Sequence, residues 1–462
     1  MIAKLYGVGR VLKGKLCVPG DKSISHRAIM FSSLVKGKTV VEGFLPSEDC
    51  LSTMDIFQKL GVSIEREGTK LTIEGKGMEA LEAPADSLYC GNSGTTMRLM
   101  AGILSGQTFS SVLFGDESLE KRPMGRVLSP LSKMGAKISA EGEKCTAPLK
   151  IEGSALKGIS YESPIASAQV KSAVLLASLY AKGETVYTEP SLSRDHTERL
   201  LSAMGADIET KILEDGKAEI HLRPGKALQA IPGIFSVPGD ISSAAYFMAA
   251  CFFLPGSEVL LESVGLNESR SGILDVLSNM GAKFQILNKK TIGGEERGDI
   301  LFTYGKLRGT EIAGALIPRL IDELPILAIL ATIAEGETVI KNAEELKVKE
   351  SNRIRAVVEN LTSLGIPCVE PEDGMRISGQ GGIFPLKGKR ILSFKDHRIA
   401  MSFAVLGLLC PKESPMEIED AECISISYPG FFKDLEKFLN LYAPYSRKTL
   451  GRISKIIQKN EE

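Results

Sequence analysis

The side chains best suited to chemistry in this chain stand at the starts of apolar segments, and most could grip an oxyanion. In VPGDKSISHR, from Val18 to Arg27, a Pro-Gly turn opens into a segment that Asp21 or a Ser can cap as a helix. The free N–H groups and dipole of a helix start favour an anion, and Lys22, Ser23 and Arg27 would add charge and hydrogen bonds there. A capping turn with a solvated Lys and Arg is the plainer alternative for that stretch alone. CGNSGTTMRL, from Cys90, is a second small-residue turn before an apolar run, with Gly94 at its mouth and Arg98 one turn in. GDESLEKRPMGR, from Gly115, is a polar loop carrying Lys121, Arg122 and Arg126, able to close over an anion or to stand in solvent. In SPIASAQVKSAV, Ser167 and Gln169 open an apolar helix with Lys171 further in, as caps or as ligands. Arg194, Asp195 and His196 in SRDHTERLL precede another helix, where His196 alone reads as structural.

Carboxylates recur in the same setting. Asp322 and Glu323 in LIDELPILAIL stand against a strongly apolar run, where they either cap a buried helix or transfer protons with shifted pKa values. VKESNRIRAV, from Val348, sets Lys349 and Arg353 four apart and Glu350 and Arg353 three apart, the spacing of one helical face; a surface ion-pair helix is the alternative. KDHRIAMSF repeats the layout of Asp and His before a helix with Asp396, His397 and Arg398. GRVLKGKL, from Gly9, nearly spells a P-loop, but Leu16 takes the Ser/Thr place and the segment leads into a strand, which excludes a nucleotide-binding reading; no HExxH, GxSxG or dinucleotide fingerprint occurs.

The elements that must position these groups form a repeat. A helical stretch ending in glycine before a strand-like segment recurs as FQKLGVSIE, LSKMGAKIS, LSAMGADIE, LSNMGAKFQ and LTSLGIPCV, at Gly61, Gly135, Gly205, Gly281 and Gly365, with LEKFLNLYA as a degenerate sixth copy. In step with it, an apolar helix, a small turn and a β-branched run recur from SSLVKGKTVVEG to LGLLCPKESPMEIED. Two interleaved signals of equal count predict six copies of one α/β unit. VPGD occurs at Val18 and again at Val237, about three units on, so the expected architecture is two domains of three units. Residues 21–239 would form one and 1–20 with 240–442 the other, with the ligand cleft between them. Residues 443–462 are expected to be a frayed basic tail.

The 462 residues are 43% hydrophobic, and 56 Lys and Arg nearly balance 57 Asp and Glu, so no global field recruits nucleic acid and any anion site must be built locally. The eight cysteines show no metal spacing, which points to reduced thiols in a cytoplasmic protein. MIAKLYGVGR lacks a signal-peptide core, and the apolar run from Tyr246 is too short to span a bilayer.

With DKSISHR, GNSGTTMR, EKRPMGR, SAQVKSA, RDHTE, IDELP, VKESNRI and DHRIAMS in that order, the chain up to about Phe438 closely resembles the 5-enolpyruvylshikimate-3-phosphate synthase family of enolpyruvyl transferases. The resemblance implies an inside-out α/β barrel in each domain. It implies transfer of the enolpyruvyl group of phosphoenolpyruvate to the 5-hydroxyl of shikimate 3-phosphate, by addition and elimination, by a monomer without metal or organic cofactor. Carried over motif by motif, Lys22, Ser23, Arg27, Ser167, Ala168, Gln169, Arg194, Asp322 and Lys349 would bind shikimate 3-phosphate. Lys22, Gly94, Arg122, Gln169, Arg353 and Arg398 would hold phosphoenolpyruvate, with His397 in the same region. Asp322 would accept the hydroxyl proton, Glu350 would handle the methylene proton, and Lys22 would support charge in the intermediate. The chain departs from the pattern at Ala168, where many members carry a second Ser, at Glu345, where some carry Asn, and at Ile426, where some carry Lys. The alternatives are a UDP-N-acetylglucosamine enolpyruvyl transferase, whose mobile loop usually has a Cys that GDESLEKRPMGR lacks, and a non-catalytic repeat protein that binds phosphorylated metabolites.

Overall fold

The computed structural model describes residues 1–7 and 11–440, so the basic tail expected at 443–462 lies outside the described residues. Twelve α-helices occur among them: α1 Lys22–Leu34, α2 Glu48–Lys59, α3 Gly94–Ser105, α4 Gly125–Lys133, α5 Ala168–Ser178, α6 His196–Ala203, α7 Ile241–Phe253, α8 Gly272–Asn279, α9 Leu324–Ala331, α10 Arg353–Ser363, α11 His397–Leu406 and α12 Phe431–Asn440. They come as six pairs, and the strands form six sheets, five of four strands and one of three. In the first unit, Lys36–Glu42 pairs antiparallel with Lys70–Lys76, which pairs antiparallel with Ser63–Glu67, while Ile234–Ser236 adds a parallel edge.

The helix-ending glycines keep the units in phase. Gly61, Gly135, Gly205, Gly281 and Gly365 all have φ between +78° and +97°, a left-handed conformation that a Cβ would strain. The amide after each glycine reaches back to the carbonyl five residues earlier, as in Val62 to Phe57 at 3.0 Å and Ala282 to Leu277 at 2.9 Å, which closes the helix and turns the chain into its strand.

Helices that are apolar all round must be covered all round. Every residue of α7, α9 and α11 is buried, and these three pack on one another. The even-numbered helices are amphipathic and bury one face. Two hydrophobic cores result. One is built from residues between Ile24 and Val237, the other from Leu12, Leu16 and Val18 together with residues between Ile241 and Phe438.

The two VPGD turns meet where the chain passes between these cores. Gly20 and Gly239 form a β-bridge, the Asp21 amide donates to the Pro238 carbonyl at 2.8 Å, and the Asp240 amide donates to the Pro19 carbonyl at 2.9 Å. Each Asp then caps its helix, Asp21 accepting from the Ile24 amide and Asp240 from the Ser242 amide, both at 2.8 Å. No helix among the described residues is long and apolar enough to cross a membrane.

Candidate functional site

Eleven of the twelve helices begin at one cavity. Each of α1 to α11 places on its wall a residue of its own first turns or of the two positions just before it, such as Lys22 on α1, Gly94 on α3, Arg353 on α10 and His397 on α11. Free amides and positive dipole ends therefore converge on one volume, which is the physical definition of an anion site. The wall carries nine Lys and Arg side chains against five Asp and Glu, a local excess of four cations in a chain whose net charge is −1.

The cavity brings together Lys22, Ser23, Gly94, Arg122, Ser167, Ala168, Gln169, Arg194, Asp322, Lys349, Glu350, Arg353, His397 and Arg398, all anticipated from sequence. Arg27 is not on the wall. It is buried one turn along α1, where its guanidinium donates to Thr197 Oγ1 at 2.8 Å, to Ser172 Oγ at 2.7 Å and to the Ser23 carbonyl at 3.0 Å. Other wall residues were not singled out as site residues, among them Asp49, Asn92, Arg98, Arg126, Asp240 and Arg270. Asn92, Arg98 and Arg126 already stand inside the motifs quoted above. Asp49 and Arg270 are brought in only by tertiary packing.

Asp322 sits at the centre of the electrostatics. Arg194 donates to its Oδ2 at 2.6 Å and Arg353 to its Oδ1 at 3.1 Å, with Arg398 at 3.8 Å. Burial works to raise its pKa, but Arg194, then Arg398, Lys349 and Arg353, hold it well below the usual carboxylate range. Glu350 is likewise opposed by burial yet held well below that range, by Arg353 at 2.6 Å and then by Arg122. Neither acid at 322–323 caps α9 with its side chain. Glu323 is instead fully buried against Arg270 at 2.7 Å and Ser242.

The segment 349–353 departs from the expected helical face. Asn352 accepts from the Arg355 amide at 3.2 Å and starts α10 at Arg353, so Lys349 and Glu350 precede the helix. Lys349 reaches back to Glu345 at 2.9 Å, and only the Glu350–Arg353 pair forms. Asn is a stronger start signal than the spacing of charges before it. Glu345 also faces Arg126 at 3.9 Å.

Lys22 donates to Asp49 Oδ2 at 3.0 Å; burial opposes its charge, but Asp49 and then Glu350 raise its pKa, so it stays a cation. Its neighbour His397 is the reverse case. Burial, then Lys22 and Arg398, push its pKa well down, and neither ring nitrogen has a protein partner, which leaves a neutral imidazole free to bond a ligand. Arg98 donates to Gln169 Oε1 at 2.6 Å, and burial, with Arg126 and Arg122 nearby, pushes its pKa down to about 9.

The family model described as EPSP synthase (3-phosphoshikimate 1-carboxyvinyltransferase) matches residues 8–435. A 3-phosphoshikimate 1-carboxyvinyltransferase of Alkaliphilus metalliredigens is 52% identical over 427 residues, 92% of this chain and 97% of that protein. One of Bacillus subtilis is 51% identical over 428 residues, 93% and 97% of the two chains. A solved EPSP synthase from Acinetobacter baumannii superimposes with a TM-score of 0.83 at 46% identity over 94% of this chain and 98% of that one. The enolpyruvyl transferase NikO from Streptomyces tendae shares the fold, with a TM-score of 0.74 at 18% identity over 95% and 97%.

Proposed function

Because the chain belongs to the EPSP synthase family and is an enzyme that transfers the enolpyruvyl group of phosphoenolpyruvate to shikimate 3-phosphate, we propose that the cavity where α1 to α11 begin is its active site. The convergence of eleven helix starts, nine cations and the acids Asp322 and Glu350 carries the reading. Two substrates that each bear a phosphate and a carboxylate must lie side by side, and at a few ångströms in a partly dry site their repulsion is large. The surplus of cations offsets it.

In this reading Arg122, Arg353 and Arg398, with Gly94 and Gln169, hold phosphoenolpyruvate. Lys22, Ser23, Ser167, Ala168, Gln169, Arg194 and Lys349 hold shikimate 3-phosphate, and Arg27 supports that site from behind by fixing α1 to α6. Asp322 takes the proton of the attacking 5-hydroxyl. Glu350, which takes up a proton as the site fills, delivers it to the enolpyruvyl methylene and takes one back in the elimination, while the hydroxyl proton held by Asp322 leaves with phosphate, whose charge Lys22 stabilises. Both acids are anions in the empty site. The carboxylate and phosphate of phosphoenolpyruvate draw Arg353, Arg398 and Arg122 to themselves, which weakens the field on Glu350 and Asp322 and raises both pKa values as the site fills. The domains are residues 21–239 and 1–20 with 240–442, and the protein acts as a cytoplasmic monomer.

Purified protein given both substrates releases phosphate stoichiometrically with the enolpyruvyl ether and releases none when UDP-N-acetylglucosamine replaces shikimate 3-phosphate. Absence of phosphate release with the first pair removes the assignment. A second expectation concerns Gly94. A Cβ there lies 2.7 Å from Arg98 Nη1, which must shift, and 3.5 Å from Arg122 Nη1, an ordinary contact, so Gly94→Ala crowds the side of the cavity proposed to hold phosphoenolpyruvate. Steady-state kinetics should show KM for phosphoenolpyruvate raised about tenfold or more, with KM for shikimate 3-phosphate nearly unchanged.

A further inference from the structure

Lys171 is the most buried cation of the first half, with a side chain 0% exposed, and it is not on the cavity wall. Its ammonium donates to Glu189 Oε1 at 2.7 Å and to the Ser193 carbonyl at 3.1 Å, and forms an ion pair with Glu198 Oε1 at 2.7 Å. Glu189 in turn grips the same serine. Its Oε1 accepts from the Ser193 amide at 2.9 Å and its Oε2 accepts from Ser193 Oγ at 2.8 Å. A buried ion pair of this kind contributes little net stability compared with an apolar filling, so its presence here calls for another account. The account lies one residue on. Arg194 follows Ser193 and extends to Asp322 Oδ2 at 2.6 Å, from the half whose core spans Ile24–Val237 to the other. On its far side, Asp195 accepts from Asn267 Nδ2 at 2.7 Å and from Ser269 Oγ at 2.8 Å, both in the second half. The backbone of Arg194 is thus clamped on both flanks.

The geometry points to Glu189, held by Lys171, as a positioning residue of the reaction: by fixing Ser193 it aims Arg194 at Asp322 and at shikimate 3-phosphate. This rests on the roles proposed above for Arg194 and Asp322. Asp322 is faced by Arg194 from one half and by Arg353, Arg398 and Lys349 from its own, with Arg270 and Glu345 beyond; Glu189 and Lys171 are faced by Glu198, with Arg27 next to it. Of the groups around Asp322, only Arg194 is tied to the Glu189 clamp.

Glu189→Gln keeps the shape and removes the charge. The expected result is a KM for shikimate 3-phosphate about tenfold higher, with KM for phosphoenolpyruvate unchanged. The acid limb of kcat/KM moves to higher pH, because an Asp322 that loses part of the Arg194 field protonates sooner and the base must be ionised. Glu189→Asp, which keeps the charge for Lys171 but withdraws the carboxylate from Ser193, should show the same two shifts should the Gln variant not fold. A lowered melting temperature with both KM values and the acid limb unchanged in either folded variant overturns the inference. Arg194→Gln separates the two levels. If it raises KM for shikimate 3-phosphate and the Glu189 variants do not, only the positioning role fails; if it does not, the assignment of Arg194 itself fails.

Discussion

Asp322→Asn lowers kcat by about 10²–10⁴-fold, the range for loss of a general base, while KM for shikimate 3-phosphate changes by less than about tenfold. The amide keeps the volume of the carboxylate and one oxygen to accept from Arg194 or Arg353, so the wall of the site stays in place. What disappears is the capacity to take a proton. A loss expressed mainly in KM, with kcat retained, would reassign Asp322 as a ligand of shikimate 3-phosphate. The wild-type protein carries a companion signature. In the empty site the arginines depress the Asp322 pKa, and the substrates relieve that field, so the carboxyl titrates at higher pH in the ternary complex than in the free protein. The acid limb of kcat, which reports the loaded site, should therefore lie at higher pH than that of kcat/KM, which reports the empty one. Rate profiles from acid to neutral pH measure both.

Arg353→Met is the substitution with the largest expected cost in stability, about 3–5 kcal/mol by urea unfolding. Arg353 is 1% exposed and is the common partner of Asp396, at 2.8 Å, of Glu350, at 2.6 Å, and of Asp322, at 3.1 Å. Removing the cation leaves three carboxylates in a dry wall with fewer cations than their charge requires. The deficit depends on pH with a definite sign. In the wild type the pKa values of Glu350 and Asp322 are depressed, so their contribution is present above the unfolded-state pKa and is lost as pH falls through the folded values. In the variant those acids protonate at higher pH and shed their penalty early. The gap between the two proteins should narrow as the solution is acidified, and a gap that stays constant would show that lost packing, not charge, is responsible. Arg353→Lys keeps one charge but not the planar fork that serves three carboxylates, and should fall between the two.

The legible part of the molecule was the part written in local sequence. Five glycines with positive φ and six apolar helices in phase were enough for six α/β units, because one chain direction and one cap recur in every unit. The site was legible for the same reason. Its residues stand at helix starts, and a helix start is marked by its neighbours. What stayed hidden depends on residues far apart in the chain. Asp49 enters through Lys22, 27 residues away, and Arg270 through Glu323, 53 residues away. Lys171 reads as a cap or a ligand because it stands near the polar start of the helix, yet two residues beyond Gln169 is more than half a helical turn, which carries it from the cavity into the core. The spacing of Lys349, Glu350 and Arg353 fits one helical face, but Asn352 begins the helix only after the first two.

The interlocked turns at Pro19 and Pro238 also set an order of events during synthesis. Lys13–Leu16 pairs with Glu258–Gly265, and Ala3–Leu5 pairs with Met416–Ile418, so these two strands are made some 240 to 415 residues before their partners. All the core between Ile24 and Val237 is made before either partner exists. The strands at 3–5 and 13–16 therefore have no partners until the whole inner half has been made, and the two threads are tied together only after that.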